Sequence, residues 1–429
     1  DLIMIDTIRN AWKIIDLRKK ILYTILMIII FRLGSCIPVP LLDPAAMKEI
    51  FTSDNSLFGF IDVISGGAFQ NATIFAMSIT PYINSSIIMQ LLTVAIPALE
   101  RLQKQGEDGR KKIAQITRYG TVVLAFIQAI GLYFMLKSYN AVTNPGLLTA
   151  VVVIFTFTAG TAFLMWLGEQ ITEKGVGNGI SLIIFAGIVS RLPSMAQSLY
   201  AYAKGGGIGL IGVVALLIMI VVVVGLVVMM NEAERRIPVQ YAKRVVGRKM
   251  YGGQSTHIPI KVASAGVIPI IFAMSIMSFP STIAGFFGVT SQTGGFWGGF
   301  LKIFSSTSWV YAILYFLLII FFTYFYTAIQ FNPIEMSNNM KKNGGFIPGI
   351  RPGRPTSEYI SKTLSRITLV GAIFLGLIAI LPIFINLGLG INNFAIGGTS
   401  LLIVVGVALE TVKDMESQML MRHYKGFLE

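Results

Sequence analysis

The chain of 429 residues is 54% hydrophobic and only 13% charged, with a mean hydropathy of +0.74. A soluble domain carries about 25% charge, so composition alone excludes a soluble globular protein and indicates a polytopic membrane protein. The single cysteine, Cys36, excludes an intrachain disulfide and a cysteine-based metal cluster, and both histidines, His257 and His423, lie in polar stretches that do not suggest a metal site. No cofactor is expected. No cleavable signal peptide is visible, and a chain that begins at Asp1 rather than at methionine is expected to lack its native start.

Ten apolar runs approach the length of about 20 residues that crosses a bilayer. In chain order they lie near Ile21 to Ile37, Thr73 to Ile96, Gly120 to Leu136, Leu147 to Leu167, Ile180 to Tyr200, Ile208 to Met230, Val262 to Phe287, Trp309 to Phe331, Ile367 to Leu387 and Gly398 to Thr411. Directly before the second run, Leu57 to Phe69 is apolar but too short to span, and it contains Gly66-Gly67. Two readings are open for it: a re-entrant half-helix, whose irregular backbone must be covered by protein, or an interfacial helix on the membrane surface.

Of the 34 Lys and Arg residues, 28 fall in the N-terminal segment, in alternate connections and in the C-terminal tail; five fall on the opposite side, and Arg32 stays inside the first run. The positive-inside rule then places both termini and the large polar loops in the cytoplasm, and explains most of the +14 net charge without nucleic acid. Ten spans with both ends on one side divide into two sets of five, the second inverted relative to the first, and such repeats place a functional path at their interface. The boundary falls near Lys204 to Gly209, giving an N-terminal half, 1–204, and a C-terminal half, 205–429, joined by the external run Gly205, Gly206, Gly207.

Ion-coupled transporters keep ionisable groups at membrane depth, and these spans are nearly free of them. Arg32, in the outer third of the first span, can snorkel and is expected to serve as an anchor or in packing; Glu169 and Glu410 fall at cytoplasmic ends. No Walker-type phosphate loop and no catalytic pairing stands out, so an enzyme is not expected. Small and helix-perturbing residues are frequent: Pro81, Ser85-Ser86, Gly266, Pro269, Pro280 and Gly397 to Ser400. Two cytoplasmic loops look structured. Residues 231–261 mix basic side chains with a β-compatible run, and 332–366 contain GGFIPGIRPGRP, whose Pro and Gly residues fix turns around Arg351. Both would present a basic surface to an acidic partner, protein or RNA.

Six separated regions carry a family resemblance: PYINSSIIMQLL, EDGRKKIAQITRYGT, EKGVGNGISLIIFAGIV, YAKR with GGQSTHIPIKV, GFIPGIRPGRPT and GGTSLLIVVGVALET. Over nearly its whole length the chain resembles the SecY family, the central subunits of the bacterial protein-conducting channel. The resemblance implies an all-α protein of ten transmembrane helices in two inverted halves around an hourglass pore in the plasma membrane. The pore would be closed by a plug that matches Leu57, Phe58, Phe60, Ile61, Ile64, Ser65, Gly66 and Gly67. Carried over by position, the constriction ring falls on Ile79, Ile83, Ile180, Ile184, Ile271 and Ile403. A lateral gate between spans 2/3 and 7/8 would use Pro81, Ser86, Gln90, Pro269 and Phe279 and release signal sequences sideways into lipid.

The physics of the ring stands apart from the resemblance, since branched aliphatic side chains exclude ions by dewetting without fixing polar contacts to the cargo. The family's partners imply contacts from Arg235, Arg236, Lys243, Arg244, Arg248 and Arg351 to the ribosome or the motor ATPase SecA, with SecE and SecG as companion subunits and signal sequences and unfolded polypeptides as cargo. Its energy source is the partner's ATP hydrolysis or chain elongation with the membrane potential. One departure from the family is the short Gly-rich connection near Lys204. The rival class is an inverted-repeat secondary transporter for a small solute, which predicts a polar midplane site with coupling residues.

Overall fold

Long apolar helices make up most of the structure, a computed structural model that describes residues 9–43, 66–138, 140–194, 196–197, 210–241, 244–246, 249–251, 255–263, 265–286, 299–301, 304, 308–389 and 398–425. The expected plug residues Leu57 to Ser65 and the Gly-rich connection at 204–209 lie outside these.

The helices of the first half are α1 (Ile15–Gly34), α2 (Thr80–Ala95), α3 (Pro97–Lys104), α4 (Glu107–Ser138), α5 (Leu147–Lys174) and α6 (Gly179–Ser190). After α7 (Leu210–Glu232) the chain forms strands β1 (Glu234–Tyr241), β2 (Arg244–Val246), β3 (Lys249–Tyr251) and β4 (Ser255–Lys261). Then follow α8 (Ile268–Phe286), α9 (Trp309–Gln330), α10 (Pro333–Lys342), β5 (Gly345–Phe346), α11 (Arg354–Leu389) and α12 (Gly398–Lys425). Among the described residues, the stretches Glu107–Lys137, Leu147–Lys174, Trp309–Lys342 and Arg354–Leu381 are long and apolar enough to cross a bilayer, and α2 with α3 adds a fifth if that bent pair is one span.

The surface supports a lipid environment more strongly than the lengths do. Leu22, Ile25, Leu26, Ile29 and Leu33 on α1 are all exposed, as are Val214, Leu217, Ile218, Val221 and Val222 on α7 and Val310, Ile313, Leu317 and Phe321 on α9. Each set recurs every three or four residues and forms one stripe along its helix. Apolar stripes of that extent on several helices require a nonaqueous solvent.

Several helices run beyond the apolar stretches that identify them. α4 begins at Glu107, well before the expected span at Gly120, because Glu107 and Asp108 complement the positive end of the helix dipole. α11 starts at Arg354 and α12 continues to Lys425, so the basic ends of these helices are ordered extensions of the spans. The opposite holds for α2. The expected span opens at Thr73, yet Thr73 bridges to Pro38, residues 74–79 form turns and helix begins only at Thr80, with Pro81 in the first turn, where the missing N–H costs nothing. At its other end Ile96 precedes Pro97 and is therefore extended (φ −108°, ψ 112°), and α3 leaves at 100° to α2. Within α3, Lys104 lies 2.6 Å from Glu100, and its hydrogen bond and then its charge hold that carboxyl below the usual range. In the fifth expected span α6 runs to Ser190, Arg191 forms a turn, and helix resumes at residues 192–194; Tyr200, its expected end, lies outside the described residues.

β1 pairs antiparallel with β4, Ile237 opposite Ile258, and its end, Gln240 and Tyr241, pairs with β5 to give the order β4-β1-β5. Along β1, Ile237 and Val239 are buried and the alternate residues exposed, the period of two of a half-buried strand. The sheet covers α10 and the start of α11 through Ile260, Met340, Ile347, Ile360 and Leu364. The main core runs through the bundle centre and draws on α1, α2, α5, α6, α7, α8, α9, α11 and α12.

Candidate pore ring and basic loops

The six isoleucines assigned to the ring come from four helical elements and meet in one apolar cluster. Ile79, Ile83, Ile184 and Ile403 are buried in it, and the half-buried Ile180 and Ile271 pack against it. Ile79 is 0% exposed and sits just before α2, where its carbonyl accepts from Ile83 N–H at 3.1 Å.

What places Ile79 is the irregular segment that precedes it. Thr73 Oγ1 donates to the Ala68 carbonyl at 3.0 Å, Val39 N–H to the Ala72 carbonyl at 2.8 Å, and Ile74 N–H to the Ile37 carbonyl at 3.1 Å. Its backbone groups thus find partners inside the protein, which is the condition for non-helical chain at membrane depth. The segment lies so close to α5 that a Cβ on Gly160 would collide with the Ile74 carbonyl. Phe75 covers Gly34 of α1 and stacks between Phe31 (6.1 Å) and Phe163 (6.0 Å).

α6 carries Ile180 and Ile184 and is started by Asn178, whose Oδ1 accepts from Ile180 N–H (3.1 Å) and Ser181 N–H (3.3 Å). Its closeness to α5 depends on a glycine pair, because a Cβ on Gly179 would strike the Gly168 carbonyl. On the far side Gly406 of α12 meets Val267, bringing Ile403 against the start of α8, which holds Ile271.

α8 packs against α2, α4 and α9. Of the residues assigned to the gate, Pro81 and Pro269 are buried, Ser86 is half-buried, and Phe279 is exposed on the outer surface. Gln90 has its Oε1 buried with no hydrogen-bond partner.

Arg32 is exposed on α1, and its Nη1 donates to the Gly66 carbonyl at 2.9 Å, a contact in keeping with the anchoring or packing role expected of it. Gly66 and Gly67 both have positive φ (65° and 85°), and a Cβ on Gly66 would lie 2.9 Å from Gly187 of α6. Composition gave no sign of this bond; the general rule that an intramembrane arginine has a partner is the signal that points to it. The pair of Arg118 on α4 with Glu169 on α5, 2.6 Å apart, was equally hidden by 51 residues of separation.

In the basic loops Arg235 and Arg236 are exposed on β1, and Arg236 lies 2.6 Å from Glu234. Arg244 falls in β2, while Lys243 and Arg248 lie outside the described residues. Arg351 is exposed in a loop fixed by positive φ at Gly349 (82°) and Gly353 (104°) and tied down by Thr356 Oγ1 to the Arg351 carbonyl and Ser337 Oγ to the Gly353 carbonyl.

This helical bundle has the fold of protein-conducting channels. It aligns with a solved protein-conducting channel (TM-score 0.64, 18% identity, 94% of this chain and 92% of that one), and with a SecY structure concerned with how the plug domain stabilises the closed state (TM-score 0.65, 19% identity, the same coverage). A third match is Sec61 in the canine ribosome–channel complex from the endoplasmic reticulum (TM-score 0.61, 18% identity, 94% and 92%). The SecY family profile matches residues 73–412. The protein translocase subunits SecY of Halalkalibacterium halodurans and Streptomyces coelicolor are 47% and 48% identical over 437 and 442 residues, covering 99% of this chain and all of each relative. The chain belongs to the SecY family, a family of multi-pass membrane channel proteins rather than enzymes.

Proposed function

We propose that this chain is the pore subunit of a bacterial plasma-membrane protein translocase, conducting unfolded secretory polypeptides and passing signal sequences sideways into lipid. The observation that carries the reading is the convergence of Ile79, Ile83, Ile180, Ile184, Ile271 and Ile403 in one apolar cluster. Such a cluster closes to ions by dewetting, yet offers a changing cargo no fixed polar contact. A solute transporter needs a polar, ionisable midplane site, and both the sparse charge of the spans and the family membership favour the channel.

In this reading ten spans form two inverted halves, 1–204 and 205–429, with both termini cytoplasmic. Residues 57–69 form the plug, and α2 and α4 part from α8 and α9 as the lateral gate. The packing of α8 on α2 and α4 supports a closed gate. Arg235, Arg236, Lys243, Arg244, Arg248 and Arg351 dock the ribosome or the SecA motor, and SecE and SecG complete the complex. The exposure of Arg351 on a loop with two fixed glycine turns supports a docking role.

The test is reconstitution of the full chain with those subunits into proteoliposomes, followed by protease protection of a secretory precursor. Protection that depends on SecA and ATP is expected. No protection, together with uptake of a small solute, would replace the channel reading with the transporter.

A further inference from the structure

We propose that Asp414 is a positioning residue for the pore ring, holding Ile180 and Ile184 of the N-terminal half in register with Ile403 of the C-terminal half. The inference rests on the ring assignment made above. Its starting point is the turn between α5 and α6, Gly175 to Asn178, where two backbone N–H groups, with that of Gly179 at the start of α6 as a third, each donate to a side chain of a different helix. Val176 N–H bonds Thr24 Oγ1 of α1 at 3.1 Å, Gly179 N–H bonds Thr172 Oγ1 of α5 at 2.9 Å, and Gly177 N–H bonds Asp414 Oδ2 of α12 at 2.9 Å. The first two acceptors belong to the same half as the turn. Of these three bonds, the one to Asp414 reaches across to the other half.

The link is built on both sides. Gly177 has φ +74°, and a Cβ there would lie 3.2 Å from Thr411 Oγ1, so the turn sits directly against α12. Asp414 Oδ2 also accepts from Gln418 Nε2 at 2.9 Å, and Gln418 Oε1 accepts from Lys20 Nζ of α1 at 2.9 Å. Beside this network Val176 packs with Ala11, Leu17, Val412 and Met415. The residue after Gly177 is Asn178, whose side chain starts α6 by accepting from Ile180 N–H itself.

The helical rise converts this contact into a register for the ring. Ile184 lies seven residues beyond Gly177, and Ile403 lies eight before Thr411. At about 1.5 Å per residue both stand roughly 10–12 Å from the shared contact. α6 and α12 leave it in opposite chain directions and pack together, so Ile184 and Ile403 arrive at the same depth. A shift of the turn along α12 would carry both N-terminal ring residues with it.

A hydrogen bond to a charged group is strong enough that its loss shifts a two-state balance by about tenfold. The full chain is reconstituted into proteoliposomes, and cargo-free ion leak is compared for the parent, Asp414→Ala, Asp414→Asn, Asp414→Glu and Gln418→Leu, with Ile403→Asn as the benchmark for the ring and melting temperature recorded for each. Asp414→Ala is expected to raise the leak about tenfold, Asp414→Asn to stay within about twofold of the parent because its amide oxygen still accepts, and Gln418→Leu to stay near the parent. If Asp414→Ala does not fold, Asp414→Glu decides: it keeps the charge but moves the carboxylate by one methylene, and an increased leak is expected. A leaky Ile403→Asn beside a tight Asp414→Ala or Asp414→Glu would overturn the proposal and leave the ring standing. Tight channels throughout would overturn both. Equal leak from Gln418→Leu and Asp414→Ala would assign the effect to the Lys20 arm and also overturn it.

Discussion

Replacing Ile403 by Asn puts an amide where a side chain 2% exposed meets only the apolar cluster of the bundle centre. Burying an amide without a partner costs about 1–3 kcal/mol on scales from protein mutants. A wetted pore would hydrate that amide and a dry one would not, so the penalty falls on the closed state. At about 2 kcal/mol the wetted population rises roughly thirtyfold. The assay is single-channel conductance or proteoliposome ion flux without cargo, with Ile378→Asn as the control. Ile378 is 4% exposed in the same cluster but is not assigned to the ring. Ile403→Asn should leak and accept defective signal sequences, while Ile378→Asn should lose stability without leaking. Equal leak from both, or from neither, would show that the cluster is an ordinary core and that the ring assignment is wrong.

Gly160→Ala forces a Cβ into the Ile74 carbonyl and should destabilise the protein by about 1–3 kcal/mol, seen as a lower melting temperature in detergent. Arg32→Leu strips the donor from the Gly66 carbonyl and should cost about 1–3 kcal/mol, with Arg32→Lys recovering part of it; equal melting of Arg32→Leu and the parent would contradict the bond as drawn. Asn178→Ala removes the cap of α6 and should cost about 1 kcal/mol by the same measurement. Arg351→Glu alters an exposed side chain and should leave melting unchanged while abolishing co-sedimentation with ribosomes or SecA at physiological salt.

Hydropathy carried the class of protein, because a lipid solvent writes itself into every span as an apolar run. It carried boundaries poorly. Turns such as Ile74 to Ile79 are as apolar as the helix they precede, and Pro81 marked the true start only for a reader already expecting a helix there. The β-compatible run around Ile237 and Val239 was readable because a period of two survives in a short strand. The ring was different: isoleucines at helical spacing recur throughout the chain, and only the family resemblance singled out these six. The bonds that join distant elements, Arg32 to Gly66, Arg118 to Glu169 and Asp414 to Gly177, leave no local pattern, since each depends on how helices far apart in sequence pack.

The most direct test of the central claim is a cysteine crosslinking scan in a chain whose Cys36 has been replaced. Single cysteines go to Ile79, Ile184, Ile271 and Ile403, with controls at the outward-facing Leu26, Val221 and Leu317, against a stalled secretory chain carrying one cysteine. The account expects crosslinks at the four ring positions and none at the controls. Equal labelling of ring and control positions, or no labelling at the ring, would contradict a polypeptide path through the centre of the bundle.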